Sequence, residues 1–170
     1  MTRVAAIDCG TNSIRLLVAD VDADAGTLVD LDRRMEVVRL GQGVDETGRL
    51  APDALARTLD ATRRYNDVCR ELGVEAVRFV ATSASRDAEN RADFVDGVRA
   101  ALGVEPEVIG GHEEAELSFR GATGVLGARH PGPFLVVDLG GGSTELVLGT
   151  TTVEAAFSMD VGSGTTVRMP

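Results

Sequence analysis

A chain of 170 residues, 44% hydrophobic and 26% charged, has room for one ordinary globular domain, or for one domain and part of another. Its formal charge of −10 excludes the broad basic face with which proteins grip nucleic-acid backbones. No stretch approaches the roughly 20 apolar residues of a membrane span, and the apolar run after Arg3 is too short for a secretory leader, so a cytoplasmic protein is expected.

Val4 to Ile7 is a short apolar run ending at Asp8; after a turn at Gly10-Thr11-Asn12-Ser13, a second run covers Ile14 to Val21. Residues 28–41 read as a third strand containing Met35, Val37 and Val38, before Gly41, Gly43 and Gly48 mark a loop. Pro52 stands where a first helical turn belongs, Leu55, Leu59, Thr62, Asn66, Cys69 and Leu72 follow at helical spacing, and Gly73 stops the helix. Val77 to Ala81 reads as a buried strand, 89–102 as a helix with Phe94, Val98 and Leu102 on one face, and Val108-Ile109 as a short strand. Residues 112–126 form a further predicted helix, and Pro131-Gly132-Pro133 is the clearest linker signal. Strand-like runs at Phe134 to Val137, Glu145 to Leu148 and 152–159 complete the chain.

With aromatics at 4% and no Trp, the core must come from Val, Leu, Ile and Ala. Cys9 and Cys69 lack metal-like spacing and read as buried thiols. The order predicts one mixed α/β domain over residues 1–127 and the opening strands of a second over 128–170.

Residues 4–18 align without a gap on 134–148 at a constant offset of 130, so Asp8 falls on Asp138, Gly10 on Gly140, Ser13 on Ser143 and Leu16 on Leu146. Both copies read apolar strand, Asp-x-Gly-x-x-Ser, apolar strand, which points to two related domains opening with the same hairpin. Only residues 149–170 follow the second copy, so the chain is expected to end inside the second domain.

Such a turn has a chemical use. Successive N–H groups left without partners form a nest for an anion, glycine lets an oxyanion approach the backbone, and hydroxyls add donors. An Asp at the end of the preceding strand would repel bare phosphate and suits a cation or its water shell. Two such turns facing one cleft would hold neighbouring phosphates. Neither has the lysine of a Walker loop, and β-type rather than helical residues follow each, unlike a dinucleotide fingerprint.

The run from Asp8 through Gly10-Thr11-Asn12-Ser13 to Leu16 resembles the first phosphate loop of the exopolyphosphatase and guanosine pentaphosphate phosphohydrolase family. Asp138-Leu139-Gly140-Gly141-Gly142-Ser143-Thr144-Glu145-Leu146 is similar to its second, and residues 81–90 and 111–117 match its intervening blocks. The resemblance implies an α/β, ribonuclease H-like fold of the actin-like ATPase superfamily, with a mixed sheet and the start of a second related domain. It implies Glu114 as catalytic base and Asp138 and Glu145 as holders of Mg²⁺. Phosphate would be bound by Gly10, Thr11, Asn12, Ser13, Arg86, Gly140, Gly141, Gly142, Ser143 and Thr144. The substrate would be polyphosphate or a guanosine polyphosphate, with no nucleic acid or membrane partner. A homodimer is compatible with the resemblance, although nothing in the residues signals one.

The residues themselves carry part of this. Glu113 and Glu114 follow Gly110-Gly111 in a first helical turn, where the helix dipole favours a carboxylate in any case. Neighbouring helical positions diverge by about 100°, so one of the two faces a given site; only the resemblance selects Glu114. His112, beside the pair, is a competing candidate for the base, with a solvated or capping group the favoured reading. Arg86 beside Thr82 and Ser83 offers a planar fork suited to phosphate oxygens. Asp8 and Arg15 are further candidates; Arg15 has Glu145 as its repeat partner, although a surface strand arginine would look the same. The loop Gly162-Ser163-Gly164-Thr165-Thr166 is a weaker phosphate candidate. A sensor that binds guanosine polyphosphate or ATP without cleaving it is the competing reading, and a kinase of the same superfamily the least favoured.

Overall fold

In β1 (Thr2–Cys9) alternation puts Ala5, Ile7 and Cys9 on one side, all buried, and leaves Ala6 and Asp8 exposed on the other. Antiparallel β2 (Ser13–Asp22) continues the pattern, since Ile14, Leu16 and Val18 stand opposite Cys9, Ile7 and Ala5. β3 (Thr27–Val37), β4 (Ala76–Ala81) and β5 (Glu107–Val108) complete a five-stranded sheet of order β3-β2-β1-β4-β5. β1 pairs antiparallel with β2 and parallel with β4, so the sheet is mixed as predicted. The computed structural model describes residues 1–126 and 130–163.

Helix α2 (Pro52–Glu71) starts on Pro52, with Asp53 in its first turn, and lays Ala54, Thr58, Ala61, Tyr65 and Cys69 along one buried stripe. Helix α4 (Arg91–Leu102) adds Phe94, Val98 and Leu102 to the same core, where Phe79 and Phe94 meet edge to face at 6.1 Å. Each such side chain, fully buried, stabilises the fold by about 1.5–3 kcal/mol. Both cysteines are free and buried, as expected.

Four elements differ from the sequence reading. The third strand stops at Val37, short of residue 41, because Val38 and Arg39 both donate their N–H to the Asn12 carbonyl, at 3.0 and 2.8 Å. Val38 and Leu40 are apolar because they enter the core, and that resembled strand patterning. Two short helices are unexpected, α1 (Val44–Thr47) in the stretch read as loop and α3 (Ser83–Asp87) in one given no element. α4 begins at Arg91 because Asn90 is engaged elsewhere: its Oδ1 accepts from Leu50 N at 2.8 Å and its Nδ2 donates to Leu50 O at 3.2 Å.

By compactness the chain divides into Met1–Val108 and Ile109–Pro170, whereas the sequence reading draws its line after residue 127. In the second unit, α5 (Gly111–Leu126) covers one face of a three-stranded antiparallel sheet of β6 (Phe134–Leu139), β7 (Thr144–Gly149) and β8 (Val153–Met159). Its small core joins Ala115 and Phe119 of the helix to Val147, with Phe134, Val136 and Val153 around them. The opposite face carries Leu135, Val137, Leu139, Leu148 and Phe157, all exposed.

Candidate functional site

The two copies of the repeat fold alike. Gly10 N donates to Ser13 O at 3.0 Å, and Gly140 N donates to Ser143 O at 2.9 Å. Strand register agrees too: Asp8 stands opposite Arg15, and Asp138 opposite Glu145. Among the described residues, the N–H groups of Thr11, Asn12, Gly141 and Gly142 donate to no protein acceptor. Each turn therefore keeps two adjacent amide donors for an outside acceptor, the requirement of an anion nest.

Each turn is also held from behind, by a segment that carries no motif. At the first, Val38 N and Arg39 N bond Asn12 O, and Gly41 N bonds Thr11 O at 2.9 Å. Gly41 lies so close that a Cβ there would be 2.3 Å from Thr11 Cγ2. The Thr11 hydroxyl lies 2.8 Å from that of Ser83, which brings the start of α3 against the turn. At the second, Thr144 Oγ1 donates to Val161 O at 2.5 Å, and Ser163 donates to Gly140 O through both N, at 2.9 Å, and Oγ, at 3.2 Å. A Cβ on Gly162 would lie 2.5 Å from the Gly141 carbonyl carbon, so glycine alone permits this contact. Gly162 and Ser163 of the predicted loop thus lie on the turn, and residues 164–166 fall outside the described residues.

The hairpins differ in charge. Arg15 Nη1 is 3.6 Å from Asp8 Oδ2, with both side chains largely exposed, so the first hairpin neutralises its own acid. In the second, two carboxylates occupy that register position, and Glu145 is only 2% exposed. Ser118 Oγ donates to Asp138 Oδ2 at 2.7 Å, and Ser158 Oγ donates to Glu145 Oε1 at 3.0 Å. A buried acid opposite a second acid is costly without a cation, and oxygen donors of this kind suit a hard divalent ion.

Glu114 lies one helical turn before Ser118, on the side of α5 that carries Ala115 and Phe119 onto the sheet. It is half-buried, whereas Glu113 and His112 are exposed, and a Cβ on Gly111 would lie 3.7 Å from Ser158 Oγ. Glu114, Ser118, Asp138, Glu145 and Ser158 therefore share one side of the second unit. His112 Nε2 lies 3.7 Å from Glu116 Oε1 on the helix surface. Arg86 sits in α3, not merely beyond a strand, with its N–H bonded to Thr82 O and its Nε 3.3 Å from Asp87 Oδ1. Sequence reasoning missed Ser118 and Ser158. The four-residue spacing from Glu114 could have flagged Ser118; nothing local marks Ser158.

The sequence model of the Ppx/GppA phosphatase family matches residues 17–169. Exopolyphosphatase 2 of Mycobacterium tuberculosis is 58% identical over 169 residues, covering 95% of this chain and 53% of that protein. Among solved structures, an exopolyphosphatase-like protein superposes with a TM-score of 0.90 at 54% identity, over 96% of this chain and 52% of that one. The Aquifex aeolicus member of the Ppx/GppA family superposes with a TM-score of 0.80 at 36% identity, over 95% and 52% of the two chains. The chain thus spans about half the length of these relatives. The architecture is that of the actin-like ATPase fold group, as the resemblance implied.

Proposed function

This chain belongs to the Ppx/GppA phosphatase family, and from that premise we propose that it carries the phosphate-binding and catalytic residues of an exopolyphosphatase, which releases orthophosphate from the end of inorganic polyphosphate. The observation that carries this reading is one turn built twice, once with a self-neutralised Asp–Arg pair and once with an Asp–Glu pair. The first form tolerates an anion beside it; the second calls for a cation. Relatives named exopolyphosphatase support polyphosphate as the substrate.

In this mechanism each turn holds phosphoryl oxygens with its own donors, the Thr11 and Asn12 amides with Ser13 and Arg86 in the first unit, and the Gly141 and Gly142 amides with Ser143 in the second. Fixed donors of this kind cost no reorganisation as charge develops. Glu114 takes up the proton of the attacking water or orients it, a step that contributes typically about 10²–10⁴-fold. Among the described residues no group of three or more His, Cys, Asp or Glu side chains surrounds a metal position. Asp138 and Glu145 nonetheless fit Mg²⁺, which commonly takes one or two carboxylates and fills its remaining positions with water and substrate phosphate. Bound there, Mg²⁺ would neutralise charge on the phosphoryl oxygens.

The test is orthophosphate release with Mg²⁺, in a chain extended to the relatives' length, for wild type and Glu114→Ala, with polyphosphate and guanosine pentaphosphate as parallel substrates. Equal release by both proteins removes Glu114 from the mechanism. Binding without release by wild type would favour a sensor.

A further inference from the structure

Arg39 has a left-handed backbone, φ 51°, the one positive φ at a non-glycine among the described residues. The conformation follows from its bonds: Val38 N and Arg39 N converge on the Asn12 carbonyl, and Gln42 N then returns to Arg39 O at 3.0 Å. Turn geometry alone would be met without strain by glycine. An arginine there keeps a penalty that glycine would remove, and such outliers concentrate where a side chain is needed for function.

Three further observations say what that side chain is for. The Arg39 amide bonds the Asn12 carbonyl at 2.8 Å, so the residue is anchored on the turn that carries the unpartnered Thr11 and Asn12 amides. The residue is exposed, and its guanidinium makes no hydrogen bond or ion pair among the described residues. By contrast Arg57, below the same segment, is fully engaged, with Val38 O at 3.1 Å, Asp53 Oδ2 at 2.7 Å and Gln42 Oε1 at 3.3 Å. In a chain of net charge −10, an uncommitted guanidinium beside an anion-binding turn is a scarce donor.

We infer that Arg39 is a substrate-binding residue, which contacts phosphate oxygens of a linear polyanion held at the first turn, and that its strained backbone is kept because the turn has to be held and the charge delivered from the same position. This rests on the proposed polyphosphate reading. A planar fork bonds phosphate oxygens in pairs, so lysine at this position would recover the charge and not the geometry.

The test compares wild type with Arg39→Gly and Arg39→Lys, and with Arg70→Ala as a control that removes one positive charge from the exposed end of α2. Two quantities are measured on the intact chain: equilibrium binding of sodium polyphosphate of defined length, and the melting temperature without ligand. Arg39→Gly is expected to weaken binding about tenfold, the loss of one charge-assisted hydrogen bond, with an equal or higher melting temperature because glycine relieves the strain. Arg39→Lys should fall between, and Arg70→Ala should bind as wild type does. Unchanged binding by Arg39→Gly overturns the inference, as does an equal loss in Arg70→Ala, a lowered melting temperature in Arg39→Gly, or no polyphosphate binding by wild type. Binding and orthophosphate release measured together on the chain extended to the relatives' length separate the two claims. Wild type that binds without releasing, with binding weakened in Arg39→Gly, sinks the hydrolase reading and keeps Arg39.

Discussion

Asp138 and Glu145 stand directly opposite each other across β6 and β7, on the side of the sheet that α5 covers, while the equivalent position of the first hairpin pairs Asp8 with Arg15. Like charges opposed across antiparallel strands are destabilising, and burial of Glu145 adds to the cost. The arrangement is therefore an acid pair that a cation would relieve.

Glu145→Gln should stabilise the metal-free protein by about 1 kcal/mol, because it removes that repulsion. Added Mg²⁺ should raise the melting temperature of wild type and leave the variant unmoved. Thermal melts in chelator and in Mg²⁺ check both; identical Mg²⁺ shifts would remove Glu145 from the cation site.

Glu114→Gln should lower kcat by about 10²–10⁴-fold with little change in KM, the signature of a lost proton acceptor. Glu113→Gln, on the exposed side of the same helical turn, should behave as wild type. Steady-state orthophosphate release distinguishes them, and a similar loss in both would mean that charge at the helix start, and not one carboxylate, matters.

Gly41→Ala forces a methyl to within 2.3 Å of Thr11 Cγ2, and overpacking of this kind costs typically about 1–3 kcal/mol. Thr11→Ser deletes that methyl and keeps the hydroxyl that meets Ser83. The double variant should therefore recover most of the stability and substrate binding that Gly41→Ala loses. Non-additivity in a double-mutant cycle is the measurement; additive losses would show that the segment does not hold the turn.

Burial pushes the Tyr65 phenol up to about 12, from 10.0, and its OH donates to the Ile14 carbonyl at 3.1 Å. The folded group titrates above the unfolded one, so its contribution is fully present below pH 10 and is lost as pH rises toward 12. Tyr65→Phe should cost about 1 kcal/mol at neutral pH, the worth of the hydrogen bond. That deficit should shrink across the alkaline window, read as the difference between the two melting curves. A constant difference would show that the phenol ionises alike in both states. Burial also raises the Cys9 thiol, which steepens the alkaline decline in both proteins.

Much of the site was legible because its chemistry is local in sequence. The Asp-x-Gly-x-x-Ser turns are set by contiguous residues, and an ungapped repeat doubles their signal. What escaped depends on partners far along the chain. Val38 and Leu40 continue an apolar alternation, and only the Asn12 carbonyl, which accepts from Val38 and Arg39 26 and 27 positions later, draws the chain out of the sheet. Ser118 and Ser158 are ordinary serines until α5 and β8 bring them to Asp138 and Glu145. Asn90 stands at the N-cap position of α4, but its side chain turns to Leu50, which offers it both a donor and an acceptor.

The bare side of β6–β8 has a practical consequence. Leu135 at 64% and Phe157 at 62% exposure, with Val137, Leu139 and Leu148 beside them, present a continuous greasy plane to water. A contiguous patch of this character is an adhesion liability. Concentrating this 170-residue chain will drive such planes together, so its apparent size by scattering will climb with concentration long before either phosphate turn is disturbed.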